Sequence, residues 1–281
     1  MNKRAGVLLA SLVITSAAFA ILPAYSQNGG KPPSSGQPAY ASRPPLANLE
    51  IGAQICGADP LPGETKDEFN SRAERENNTP DWIWDDLDAM QAAPKNMTFT
   101  LRQVGNDRVL LANGGIDDNA ADRLKTALRN YSPVNEVWFN SPGGNSFVGV
   151  QMGDILRQNM VTTRVKAGSG CASACSTAFL GGMMRRVEPG AAYGVHMFTT
   201  EISDGTAKAI SDQSKGGKSS SQQMYNDIQW LGAKGATERL QYVQRMGVST
   251  HWLDVWSSTR PGCMTFLSQD EMHRFFVNNI E

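Results

Sequence analysis

Gly168-Ser169-Gly170-Cys171-Ala172-Ser173-Ala174-Cys175-Ser176 sits between a Ser141-Pro142-Gly143-Gly144 turn upstream and a single Gly194-Val195-His196 downstream. A serine at a helix start, backbone N–H groups in a glycine turn and one histidine at a strand end are the parts of an acyl-transfer site. Each part alone has a plainer reading. A Gly-Gly pair is ordinarily a strand-to-helix turn, a serine in an Ala-rich helix start is ordinarily a cap or packing residue, and a strand-end histidine is ordinarily structural. Together they fall at the C-terminal ends of successive strands or at helix starts, where open α/β sheets place their ligands.

Outward from this stretch the chain alternates strand and helix signals. Met97 to Val104 and Arg108 to Asn113 read as strands around Gly105-Asn106-Asp107. Asp117 or Asp118 can cap a helix whose apolar positions Ala121, Leu124, Ala127, Leu128 and Tyr131 recur at helical spacing. Val134 to Phe139 is the next strand, then come a helix marked by Phe147, Val150, Ile155 and Leu156, a strand from Val161 to Val165, and a helix from Ala172 to Phe179. Arg186 to Phe198 reads as a hairpin or a pair of short strands. This alternation implies an α/β fold with βαβ units and a mostly parallel sheet. Beyond it, Lys215 to Ser221 reads as a mobile loop, and Met224 to Met246 as a long helix that Gly232 and Gly235 can break. Ser268 and Glu271 fit a capping box for a last helix.

Toward the N-terminus, Lys3 and Arg4 precede an apolar run from Ala5 to Leu22, then Pro23 and Ala24-Tyr25-Ser26. This pattern is that of a secretory signal peptide over 1–26, cut after Ser26 or, as second choice, after Ala20. If uncut, the run approaches the length of a membrane anchor. Residues 27–47 are rich in Pro, Gly and Ser and read as a disordered tether. Residues 48–96, with Cys56 and Trp82-Ile83-Trp84-Asp85-Asp86, read as an N-terminal appendage of one or two short helices on a main domain spanning 97–281. The expected protein is periplasmic or secreted, or membrane-anchored if the signal persists.

Composition excludes some functions. The formal charge is −1, and removing Lys3 and Arg4 with the signal leaves 24 basic against 27 acidic residues, which argues against nucleic-acid binding. The four cysteines, Cys56, Cys171, Cys175 and Cys263, admit three full pairings, and export would let disulfides persist. On a helix Cys171 and Cys175 would share a face, with Ser173 about 200° round. Two small buried packing residues are preferred there over a bridge bracing the serine turn, because helix geometry suits such a bridge poorly. No CxxC pair occurs and His196, His251 and His273 do not cluster, so no metal and no cofactor is expected.

The runs Asn140 to Gly149 (NSPGGNSFVG), Gly170 to Cys175 (GCASAC) and Tyr193 to His196 (YGVH) resemble the Clp protease proteolytic subunit and, more broadly, the crotonase-like superfamily. They are most similar to exported Clp-like proteins of bacteria that carry a CASAC motif at the serine turn. The resemblance covers about residues 97–281 and implies a fold of repeated ββα units. It implies Ser173 as nucleophile, His196 as general base, and the N–H groups of Gly144 and Ala174 as the oxyanion hole. The implied reaction is peptide-bond hydrolysis through an acyl-enzyme, on a peptide or unfolded protein, by a homo-oligomer.

One position departs from the family. Its third triad member is an Asp just before Phe-Leu-Ser, and here Met264 stands there, in Met264-Thr265-Phe266-Leu267-Ser268. Asp254, Asp227 or Asp204 could substitute, but spacing selects none of them. A Ser-Lys dyad using Lys208, Lys215 or Lys218 is a further alternative, though these lysines read as solvated. Two other readings stay open: a catalytically weak or inactive Clp-like scaffold binding a peptide or protein partner, a membrane partner among them, and a crotonase-type enzyme acting on an acyl thioester, which export disfavours.

Overall fold

The computed structural model describes residues 53–56, 60–61, 63–79, 81–197, 204–260 and 262–280, without the side chains of Trp84 and 204–207. The signal segment, its cleavage site and the tether lie outside these residues.

Two sheets form the core. The first has five strands in the order β2-β3-β4-β5-β7: β2 (Thr98–Val104), β3 (Asp107–Asn113), β4 (Glu136–Asn140), β5 (Thr162–Val165) and β7 (Arg185–Val187). β2 and β3 form the antiparallel hairpin expected around Gly105, and β3, β4, β5 and β7 run parallel. The second sheet has the order β1-β9-β8-β6, from β1 (Ala53–Cys56), β9 (Cys263–Phe266), β8 (Ala192–Val195) and β6 (Gly170–Ala172). Here β6 and β8 are parallel, and β9 is antiparallel to both β8 and β1. A bridge between Ser141 and Cys171 joins the end of β4 to β6, so the two sheets meet at the serine turn. The class is α/β with parallel and mixed sheets.

The helices follow the apolar spacing. α3 (Ala120–Asn130) buries Ala121, Leu124, Ala127 and Leu128, and α4 (Ser146–Gln158) buries Val148, Met152 and Leu156. These meet Leu110, Val137, Phe139 and Val165 from the five-stranded sheet in one core, each large apolar side chain contributing about 1.5–3 kcal/mol on burial. α2 (Asp81–Gln91) places Ile83, Leu87 and Met90 on Ala172, Ala192 and Phe266 of the second sheet. α1 (Lys66–Asn77) begins in a capping box of Thr65 and Glu68. The box of Ser268 and Glu271 opens α9 (Gln269–Arg274) as expected.

Several expectations change. Asn119, not Asp117 or Asp118, stands at the N-cap of α3 and makes no side-chain cap; Asp117 instead pairs with Arg123. Of the two readings of Arg186 to Phe198, the pair of short strands holds and the hairpin does not, because β7 and β8 belong to different sheets. Lys215 to Ser221 is not a loop: α6 (Asp204–Lys215) and α7 (Lys218–Arg245) leave only Gly216 and Gly217 between them. α7 runs unbroken through Gly232 and Gly235, where glycine costs a helix only about 1 kcal/mol each. The helix α5 begins at Ala174 rather than Ala172 (Ala174–Phe179), because Ala172 completes β6 and Ser173 leaves the helical region. Cys171 and Cys175 therefore do not share a helix face. They form a disulfide across Ser173, and Cys56 pairs with Cys263, joining β1 to β9.

Arg185 is a buried hub that sequence patterning did not mark. Its guanidinium donates to the carbonyls of Gly182, Met246, Phe276 and Val277, tying the C-terminal segment to β7. Burial pushes its pKa down to about 10, which leaves it charged at neutral pH.

Candidate active site

The serine turn is built by β6 and α5. Ala172 pairs with Gly194 of β8, and the Ser173 N–H donates to the Gly194 carbonyl at 3.0 Å. Ser173 then adopts φ 58° and ψ −123°, a conformation rarely tolerated by a residue with a Cβ. His196 follows directly after the last residue of β8, so the strand pairing that fixes Ser173 also fixes the histidine. The result is a contact of 2.7 Å between His196 Nε2 and Ser173 Oγ.

The glycine turn abuts this pair. Gly143 and Gly144 have φ of 98° and 139°. A Cβ added to Gly143 would lie 2.5 Å from the Ala172 carbonyl oxygen, 2.7 Å from Ser173 Cβ and 2.9 Å from the Ala174 nitrogen, so only glycine fits. Gly143 N–H donates to Ser141 Oγ, while Gly143 O and Asn145 N–H bond Ile116. Among the described residues no acceptor takes the N–H of Gly144 or of Ala174. Two free N–H groups thus lie on the two segments in contact at the serine.

α5 has only six residues, too short to hold its own shape, and is clamped from outside. Ser176 Oγ donates to the Ser173 carbonyl at 2.6 Å, and Tyr193 OH donates to the Ser176 carbonyl at 2.8 Å. From α7, Tyr242 OH donates to the Thr177 carbonyl and Arg239 to Thr177 Oγ1. Sequence reasoning missed these supports. Their trace is the buried set Arg239, Tyr242, Val243 and Met246, at helical spacing on a helix otherwise exposed.

His196 is nearly enclosed, at 8% exposure, and burial holds its pKa below the ordinary histidine value. Its Nδ1 has no hydrogen-bond partner among the described residues. Continuing the β8–β9 register, in which Gly194 faces Phe266 and Val195 faces Thr265, sets Met264 opposite His196. Neither Asp254 nor Asp227 is brought there. Asp254 is exposed and bonds His251, Asp227 is exposed on α7, and the Asp204 side chain lies outside the described residues. Lys208 and Lys215 pair with Asp212 on an exposed helix, and Lys218 is exposed at the start of α7. No described group of three or more His, Cys, Asp or Glu converges on a metal geometry. No described helix is long and apolar enough to cross a membrane.

No protein-family model and no curated protein matches the chain. A solved structure of a ClpP1 point mutant from Listeria monocytogenes is similar over 61% of this chain and 88% of that one, with 16% identity and a TM-score of 0.39. That likeness is too distant to transfer any residue's role.

Proposed function

We propose that this chain is an exported serine peptidase of Clp/crotonase-like fold that hydrolyses peptide bonds through an acyl-enzyme on Ser173. The observation that carries the reading is the 2.7 Å contact between His196 Nε2 and Ser173 Oγ, made by a serine held at positive φ beside a glycine turn. In this reading His196 Nε2 takes the hydroxyl proton as Oγ attacks the scissile carbonyl carbon. The carbonyl oxygen becomes an oxyanion between the N–H groups of Gly144 and Ala174, whose lack of internal acceptors suits that role. The imidazolium then gives its proton to the departing amine, and water, deprotonated by the same nitrogen, releases the acid.

No acid among the described residues faces Nδ1, and this limits the rate. To accept at Nε2 the ring must carry its proton on Nδ1, where it finds no acceptor. Leaving a buried donor unpaired costs about 1–3 kcal/mol, which favours the tautomer that donates to Ser173. Loss of the orienting carboxylate lowers turnover of a Ser-His-Asp enzyme by about 10⁴-fold. A slow peptidase acting on short or already unfolded segments follows. The same unpartnered Nδ1 favours the second reading, a scaffold that binds a peptide or protein partner without turning it over.

Export is supported by the N-terminal apolar run and by the two disulfides, which persist in oxidising compartments. A homo-oligomer is supported by Tyr225, Ile228 and Leu231, large apolar side chains exposed along one side of α7. The test is hydrolysis of a fluorogenic peptide library by the purified mature protein. Turnover lost in both Ser173→Ala and His196→Ala supports the peptidase; binding of library peptides without turnover supports the scaffold.

A further inference from the structure

We infer that Cys171 and Cys175 are positioning residues for Ser173, their disulfide fixing the nucleophile turn rather than the global fold; the inference rests on the peptidase reading. The bridge spans the serine symmetrically, from β6 on one side to the first turn of α5 on the other, and both cysteines are fully buried.

Sequence separation decides what each bridge can do. A disulfide stabilises a fold chiefly by restricting the unfolded chain, more so for longer loops. Cys56 and Cys263 are separated by 207 residues and restrict it strongly, whereas Cys171 and Cys175 are separated by 4 and restrict it less than half as much. The consequence of the short bridge is local.

That locality falls where the backbone needs support. Ser173 at φ 58° is held by surroundings that over-determine it: its N–H on the Gly194 carbonyl, its carbonyl under Ser176 Oγ, and Gly143 packed on its Cβ. Tyr193 of β8 and Tyr242 and Arg239 of α7 hold α5 by hydrogen bonds, and the disulfide adds to the backbone a second covalent tie between β6 and α5, because Cys171 is anchored by β8 and by Ser141 while Cys175 rides on α5. Without it α5 can shift against β6, and Oγ leaves His196. A displacement of about 1 Å costs about 100-fold in a positioned reaction.

The experiment compares fluorophosphonate inactivation of full-length mature wild type, Cys171→Ala/Cys175→Ala and Cys56→Ala/Cys263→Ala, each below its Tm. Loss of the short bridge is expected to lower kinact at least about tenfold, leaving KI and the acid limb of the pH profile unchanged. Loss of the long bridge is expected to lower Tm while kinact per folded molecule holds. If the short-bridge variant does not fold, wild type is partly reduced with a phosphine and its thiols alkylated, and adduct formation is followed by mass on bridged and opened molecules side by side. Equal kinact with and without the short bridge, by either route, overturns the inference and spares the peptidase. No adduct on bridged wild type overturns both.

Discussion

Ser173 and Gly194 are joined by one backbone hydrogen bond, N–H to carbonyl at 3.0 Å, and Gly194 lies two residues before the His196 that contacts Ser173 Oγ. Gly194 is also crowded: an added Cβ would lie 2.9 Å from Met264 Sδ and 2.9 Å from Phe266 Cε1. Gly194→Ala is therefore expected to cost about 1–3 kcal/mol by overpacking, and to slow Ser173 labelling in the molecules that remain folded. Denaturant unfolding combined with labelling kinetics checks both; unchanged stability would show that the β8–β9 contact yields freely.

Backbone strain at Ser173 separates two removals of the same hydroxyl. Ser173→Ala keeps a Cβ at φ 58°, while Ser173→Gly relieves it. The glycine variant is expected to be more stable than the alanine variant by about 1 kcal/mol, both being inert. Paired thermal melts measure the difference; equal melts would mean the conformation is not strained.

Protonation of His196 opposes folding. Burial lowers its folded-state pKa below that of the unfolded chain, so the unfolded state binds more protons in that window. Stability contributed by this residue is thus intact above the ordinary histidine pKa, and falls as pH drops from there toward the folded value. Labelling should retain its rate to lower pH than a solvent-exposed histidine would allow. Tm from pH 8 to 5 for wild type and His196→Phe isolates the term, and a slope unaltered by the substitution would contradict it.

The two disulfides are expected to differ in thermodynamic weight. Opening the 207-residue separation removes about 5 kcal/mol of unfolded-state restriction, and opening the 4-residue one about 2 kcal/mol. Chemical denaturation of the two double-alanine variants compares them directly.

Met264 offers a gain-of-function test. It stands opposite His196 by the β8–β9 register, and is half-buried rather than sealed. Met264→Asp places a carboxylate where Nδ1 lacks an acceptor, and is expected to raise the labelling rate at least about tenfold while moving the acid limb upward. A rate that falls on folded protein would show that the orienting group belongs elsewhere.

Much of this was legible in the sequence, and the losses have physical causes. The spacing of Leu124, Ala127 and Leu128 marked α3, and the Ser268/Glu271 box marked α9, because local patterns determine them. Ser173, His196 and the Gly143-Gly144 turn were legible from residue chemistry and resemblance. For β7 and β8 the sequence left a hairpin or a pair of short strands open, because a period-two pattern does not reveal which sheet a strand joins; that depends on β6 and β9, distant in the chain, and the pair of strands is what forms. The Cys171–Cys175 bridge was disfavoured on helix geometry, and it forms because Ser173 leaves the helical region, a backbone choice made by Gly143 and Gly194. Lys215 to Ser221 was read as a loop from its composition, yet helices reach in to Lys215 and back out from Lys218, leaving glycine only at the turn.

The most direct test of the central claim is intact-mass labelling of the mature protein with a fluorophosphonate, comparing wild type, Ser173→Ala and His196→Ala. A single adduct on wild type, absent from Ser173→Ala and strongly slowed in His196→Ala, is the expected result. No adduct on well-folded wild type, or an adduct that survives Ser173→Ala, would contradict an activated serine at this turn.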